Sequence, residues 1–246
     1  MKKEIRALQA NYPIPTQDQP LPNLSAAESK MLSAQKIEMR GRADSKLKRV
    51  TDIMVAGLLL FFTLPVWVVV GLLIKLTSPG PIFFRQIRPG QHGRPFTLIK
   101  FRTMSEVKDG GAEPSADASR LTRLGRFLRS TSLDELPEMM NVLKGEMSLV
   151  GPRPLLMQYL PRYTPEQSRR HEVKPGITGW AQVNGRNALT WEQKFAHDVW
   201  YVDHWSPGLD FKILSKTLLQ LVTREGISAE GHATMPEFRG SGLDEQ

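Results

Sequence analysis

The sequence predicts an α+β protein, mostly helical with one small β-hairpin. A re-entrant, proline-kinked N-terminal helix makes it monotopic in a membrane. Three observations predict this. Ile53 to Ile74 is a run of 22 residues without a charge, with Pro65 near its middle and basic residues on both sides. Ile82 to Gln86 and Phe96 to Thr103 are strand-like runs separated by Pro89-Gly90-Gln91-His92-Gly93, which reads as a hairpin turn. From Leu121 onward, apolar residues recur at helical spacing between glycine and proline stops.

The 246 residues divide into a leader (1–45), a membrane-embedded helix (46–76) and a domain on the cytoplasmic side (77–246) with interfacial helices. The leader is polar and punctuated by Pro13, Pro15, Pro20 and Pro22. It is no secretory signal, because the apolar run begins too late. Lys46, Lys48 and Arg49 precede that run, and Lys75, Arg85, Arg88 and Arg94 follow it. Positive charge prefers the cytoplasmic face, so both flanks belong on one side, with the helix turning at Pro65 where a backbone donor is missing. The hairpin carries Lys100 and Arg102 at alternate positions of its second strand, sharing a face. Residues 105 to 119 read as a polar loop. Leu121, Leu124 and Leu128 set a helix that bears Arg120, Arg123, Arg126 and Arg129 as a cationic band.

A helix from about Leu136 to Leu143 should end at Gly145. Residues 155 to 171 read as a broken helix. Phe211, Leu214, Leu218, Leu221 and Val222 have helical spacing. Trp191, Phe195, Trp200, Tyr201 and Trp205 read as core packing or as a headgroup-level belt. His197 and His204, with Asp198 and Asp203, match no zinc spacing and read as structural or exposed.

Charge and cysteine usage narrow the partners. Lys and Arg total 33 against 25 acids, a formal +8, which suits nucleic acid, anionic lipid or a nucleotide substrate. With no cysteine there is no disulfide, thiolate zinc site or Cys nucleophile.

The stretch with most chemical content is Ser130-Thr131-Ser132-Leu133-Asp134-Glu135-Leu136-Pro137. Two adjacent acids beside an arginine band suit phosphate chemistry, with arginines holding anions and acids holding a metal or reacting. Ser132 and Glu135 equally fit a helix capping box. A helix starting nearer Pro137 would leave the acids on the preceding turn. Gly-rich stretches at 174–180 and 184–187 allow backbone amides near a phosphate, and Arg186 could supply a charged fork.

Several motifs fall in one order: Lys48-Arg49-Val50-Thr51-Asp52, Lys100-Phe101-Arg102-Thr103-Met104, Ser132 to Pro137, Asn141 to Gly145, Val150-Gly151-Pro152-Arg153-Pro154, Lys174 to Asn187, and Glu230-Gly231-His232. From about Lys46 to Gly240 the chain resembles the bacterial sugar transferases, the monotopic polyprenyl-phosphate phosphoglycosyl transferases, and their small members above all. The resemblance implies a catalytic dyad of Asp134 and Glu135. Asp134 would attack the β-phosphorus of a UDP-sugar, release UMP and carry the phosphosugar until polyprenyl phosphate takes it. It implies Mg²⁺, with Glu135 as metal ligand, and Arg129 and Arg186 as phosphate contacts. Lys100, Arg102, Arg153 and Gln182 are further substrate-binding candidates by motif position. Its partners would be a UDP-sugar, polyprenyl phosphate and anionic lipid, with no nucleic acid, and a homo-oligomer stays open. Its place would be the cytoplasmic face of the bacterial inner membrane. Two other readings stand beside it: a membrane-anchored basic binding protein without catalysis, and a glycosidase-type acid pair, for which adjacent positions are awkward.

Overall fold

The structure is a computed structural model and describes residues 45–105, 120–185, 188–223 and 237–240. The predicted leader lies outside the described residues except for Ser45, as do the loop after Ser105, Arg186, Asn187 and the motif at 230–232.

Helix α1 spans Lys46–Thr77. Ser45 caps it by accepting from the Lys48 backbone amide at 3.2 Å, and Ser78 leaves it in an extended conformation. Pro65 sits within α1 without ending it. Only 11% of its most apolar window is buried against the rest of the protein. Phe61 and Phe62 are more than 70% exposed, which no core helix would be. An apolar surface of this extent belongs in lipid rather than water.

Both ends of α1 are fastened to the rest of the protein, each to different elements. At its start, Lys48 donates to Asp210 and to the Val150 carbonyl, Arg49 to the Val142 and Leu143 carbonyls, and Asp52 accepts from the Leu149 amide. At its exit, Arg102 donates to the Pro79 and Ser78 carbonyls at 2.6 and 2.7 Å. The apolar packing divides likewise. Val55, Ala56 and Leu60 join a core with Leu98, Met139, Val142 and Leu149. Val66, Trp67, Val70 and Ile74 join a second core with Phe83, Phe101 and Leu128.

The hairpin forms as β1 (Phe83–Pro89) and β2 (Pro95–Phe101), antiparallel, with Phe83 opposite Phe101 and Pro89 opposite Pro95. Its turn contains His92 at φ 55°. The free edge of β2 is closed by Asn141, which accepts from the Ile99 amide and donates to the Thr97 carbonyl. Helix α2 (Arg123–Ser130) crosses the end of β2 so closely that a Cβ on Gly125 would lie 1.9 Å from the Thr103 carbonyl oxygen. A 3-10 turn, Leu133–Glu135, leads into α3 (Glu138–Lys144), which ends at Gly145 with φ 84°, a left-handed cap that glycine adopts freely.

Beyond α3, β3 (Ser148–Val150) pairs in parallel with β4 (Gly176–Thr178). Between them runs the broken helix: a 3-10 segment Met157–Arg162, the short α4 (Pro165–Ser168) and a further 3-10 turn, Arg169–His171. Then follow α5 (Trp180–Val183), α6 (Trp191–His204) and α7 (Pro207–Thr223). Phe195 and Tyr201 of α6 are core residues. Helix α7 differs from a core helix. Ile213 is fully buried, but Phe211, Leu218 and Leu219 of the predicted apolar stripe and its neighbour are more than 60% exposed. That outward apolar face continues the kind of surface shown by α1.

Candidate active site

The acids stand where the second sequence alternative put them, on a turn before the helix. Ser132 adopts φ 56°, ψ 16° and makes no side-chain cap, so the capping box does not form. Left-handed backbone at a serine is uncommon and marks a turn held by its surroundings. The turn is held by Leu133 and Leu136, which pack into the second core beneath α1, and by Pro137, which is fully buried. The result turns Asp134 inward, 8% exposed, beside the β2 face that carries Lys100.

Charge in this site is ordered by two cations. Glu135 Oε1 receives Lys100 Nζ at 2.7 Å and Arg153 Nη2 at 2.5 Å. Lys100 also reaches Glu138 Oε1 at 3.0 Å. Burial alone would push Glu135 up, yet Arg153 and Lys100 hold it well below the usual carboxylate range. Asp134 behaves oppositely. Burial and then the neighbouring Glu135 charge raise it to about 6, against the pull of Lys100, Arg153 and Arg129. Glu138 is likewise raised to about 7 by burial, with Lys100 opposing and Glu135 adding. Among the described residues the Asp134 carboxylate accepts no hydrogen bond. The site therefore holds one clamped carboxylate and one ungripped carboxylate that is ionised at neutral pH.

Of the predicted site residues, Asp134, Glu135, Lys100 and Arg153 meet here. Arg129 borders the site electrostatically, its Nε donating to Thr103 Oγ1 at 3.2 Å. Arg102 is spent on the two carbonyls at the exit of α1, whereas Lys100, two residues earlier, reaches the acids. Gln182 is on α5 with its amide atoms buried and unpaired. Arg186 lies outside the described residues. Sequence reading passed over Glu138, although it is one helical turn beyond Asp134, and Asn141, which fastens α3 to β2. It gave Asp52 no task and read Lys48 only as a basic flank, and both prove to be anchors of α1.

An apolar helix open to lipid and, beneath it, a buried acid pair among fixed cations together define an enzyme that handles phosphate at a membrane surface. The chain belongs to the bacterial sugar transferase family, whose model matches residues 43–224. It is 55% identical over 196 residues to the uncharacterized sugar transferase EpsL of Bacillus subtilis (strain 168), covering 80% of this chain and 97% of that protein. It is 43% identical over 188 residues to the UDP-glucose:undecaprenyl-phosphate glucose-1-phosphate transferase of Caulobacter vibrioides, covering 72% and 70%. The Escherichia coli (strain K12) protein of the same description is 42% identical over 184 residues, covering 71% of this chain and 40% of that one.

Proposed function

We propose that this protein transfers a sugar 1-phosphate from a UDP-sugar to polyprenyl phosphate through a covalent phosphosugar on Asp134. The observation that carries the proposal is the unequal acid pair: Glu135 is locked by Lys100 and Arg153, while Asp134 is buried, ungripped and charged. A carboxylate so placed is a nucleophile that lets two bulky substrates react in turn.

In the first step an Asp134 Oδ atom bonds to the β-phosphorus. The bond from that phosphorus to the bridging oxygen breaks, and UMP leaves with the electron pair. In the second step an oxygen of polyprenyl phosphate bonds to the same phosphorus, and the Asp134 carboxylate is restored. Arg153, Lys100 and Arg129 surround the reacting carboxylate with positive charge that needs no rearrangement as charge shifts between oxygens.

Magnesium, when bound, neutralises diphosphate charge. Glu135 would hold it through Oε2, since Lys100 and Arg153 both take Oε1. Substrate phosphates and water would complete its coordination.

The acceptor's phosphate lies at the lipid boundary, and α1 accounts for holding the site there. A re-entrant course for α1 is supported by Lys48, Arg49 and Asp52 at one end and Ser78 at the other, all bonded to elements of one catalytic domain. Basic flanks on one cytoplasmic face follow from that course. The test is turnover. UDP-sugars, with UDP-glucose first, are supplied with magnesium and undecaprenyl phosphate, and UMP and diphosphate-linked lipid are measured. Equal yields of both are expected. Binding of donor or lipid without any UMP would leave a non-catalytic binding protein.

A further inference from the structure

After α7 the described chain resumes at Glu237–Gly240, beyond the residues matched by the family model, and it is docked as a ligand would be. Phe238 is 0% exposed. Its ring lies 4.9 to 5.8 Å from the rings of Phe195, Trp191, Tyr159 and Tyr163, a socket built by the Met157–Arg162 segment, the residue after it and α6. The backbone of Phe238 is used as well: its amide donates to Tyr159 Oη at 3.3 Å, and its carbonyl accepts from Arg162. Glu237 takes Gln158 and Arg162, each at 2.8 Å. Side chain, amide, carbonyl and the preceding acid all have dedicated partners.

One residue, Arg170, links the socket to Arg153 of the active site. Tyr163 and Phe195, which hold the Phe238 ring, also face the Arg170 guanidinium, at 5.8 and 5.6 Å. Arg170 is buried, forms two hydrogen bonds to Asp198 at 3.0 and 2.7 Å, and donates to the Arg153 carbonyl at 2.8 Å. Arg153 in turn clamps Glu135. A contiguous path therefore runs from Phe238 through two rings to Arg170, then to the Arg153 backbone and the acid pair. Its middle is tightly held: Arg170 is buried with its counter-charge Asp198, and its bond to the Arg153 carbonyl ties the packed rings to the Arg153 backbone.

We propose that Phe238 is a positioning residue: by filling the aromatic socket it fixes Arg170, and through Arg170 it sets Arg153 against Glu135 for binding the donor diphosphate. The proposal rests on the phosphosugar-transfer reading above. Removing the ring takes away the packing partner of Tyr163 and Phe195, the two rings that face Arg170, and so loosens Arg170 and the Arg153 carbonyl bonded to it. Phe238 is fully buried, so its effect on the donor must pass through Arg170 and Arg153.

The test is a double-mutant cycle on UMP release, with active enzyme counted from the burst of UMP in the absence of lipid acceptor. Phe238→Ala should lower kcat/KM for the UDP-sugar about tenfold per active site, mainly through KM. Phe238→Leu should recover most of the loss. Arg153→Ala should lower it further, and Phe238→Ala added to Arg153→Ala should change nothing more, since the path is already cut. If Phe238→Ala does not fold, Phe238→Val, which leaves more of the socket empty than leucine does, replaces it in the same cycle. Two losses that multiply, or a smaller burst with KM unchanged, would make Phe238 merely structural and overturn the proposal. A wild-type protein that releases no UMP defeats the transfer reading and takes this role for Phe238 with it.

Discussion

Replacing Asp134 by asparagine is expected to end transfer and, in the same protein, to increase stability. The ordinary aspartate value is 3.8, and burial with the Glu135 charge raises Asp134 to about 6. At about 1.4 kcal/mol per pH unit, the folded protein bears a cost of about 3 kcal/mol at pH 7.5 for keeping this carboxylate ionised. A raised carboxylate contributes stability only below its unfolded value, and that contribution is lost as pH rises through the folded value. A neutral amide in its place would avoid the cost, so Asp134→Asn should gain about 3 kcal/mol at pH 7.5 and only about 1 kcal/mol at pH 4.5. For a domain of this size the first figure corresponds to a Tm rise of about 6–12 °C. The assay is thermal unfolding of detergent-solubilised protein by tryptophan fluorescence, with chelator and without substrate. A variant no more stable than wild type at pH 7.5, or a gain that does not shrink on acidification, would refute the view of Asp134 as a strained, ungripped charge.

Three further outcomes follow from the same geometry. Because the nucleophile must be ionised, kcat/KM for UMP release should fall about tenfold between pH 7 and pH 5, and a flat profile there would speak against Asp134 as the reacting group. Asp198→Asn leaves the buried Arg170 guanidinium without its counter-charge and should cost about 3–5 kcal/mol in chemical or thermal unfolding, whereas an effect below about 1 kcal/mol would mean the pair is not buried as described. Single cysteines at Ser45 and Ser105 in this cysteine-free chain should both react with a membrane-impermeant thiol reagent only from the cytoplasmic side. Labelling of one from each side would establish a spanning α1 instead.

The sequence carried α1, the hairpin, the stop at Gly145 and the broken helix because each has a local cause: charge depletion, alternation around a turn, a left-handed glycine, successive prolines. It placed the acids correctly only as one of two options, since Ser132 and Glu135 satisfy a capping pattern that tertiary packing of Leu133, Leu136 and Pro137 overrides. Roles set by long-range contact were illegible. Nothing near Arg102 in sequence says it will hold the carbonyls of Ser78 and Pro79, and nothing near Asp52 points to Leu149. Glu138 was passed over because nothing in the local pattern shows that it shares Lys100 with Glu135. The stripe on α7 was legible as a helix, but periodicity cannot say whether an apolar face meets protein or lipid. For Phe238 the sequence offered no signal, because its socket is assembled from Tyr159, Tyr163, Trp191 and Phe195, all far upstream in the chain.

The central claim is a bond between Asp134 and phosphorus. The measurement that tests it most directly is the mass of the protein after incubation with a UDP-sugar and magnesium in the absence of polyprenyl phosphate. The predicted result is one added phosphosugar on the peptide containing Asp134, about one UMP released per enzyme, and neither change in Asp134→Asn. An unmodified Asp134 peptide in a protein that still transfers phosphosugar to lipid, or full turnover by Asp134→Asn, would contradict the account.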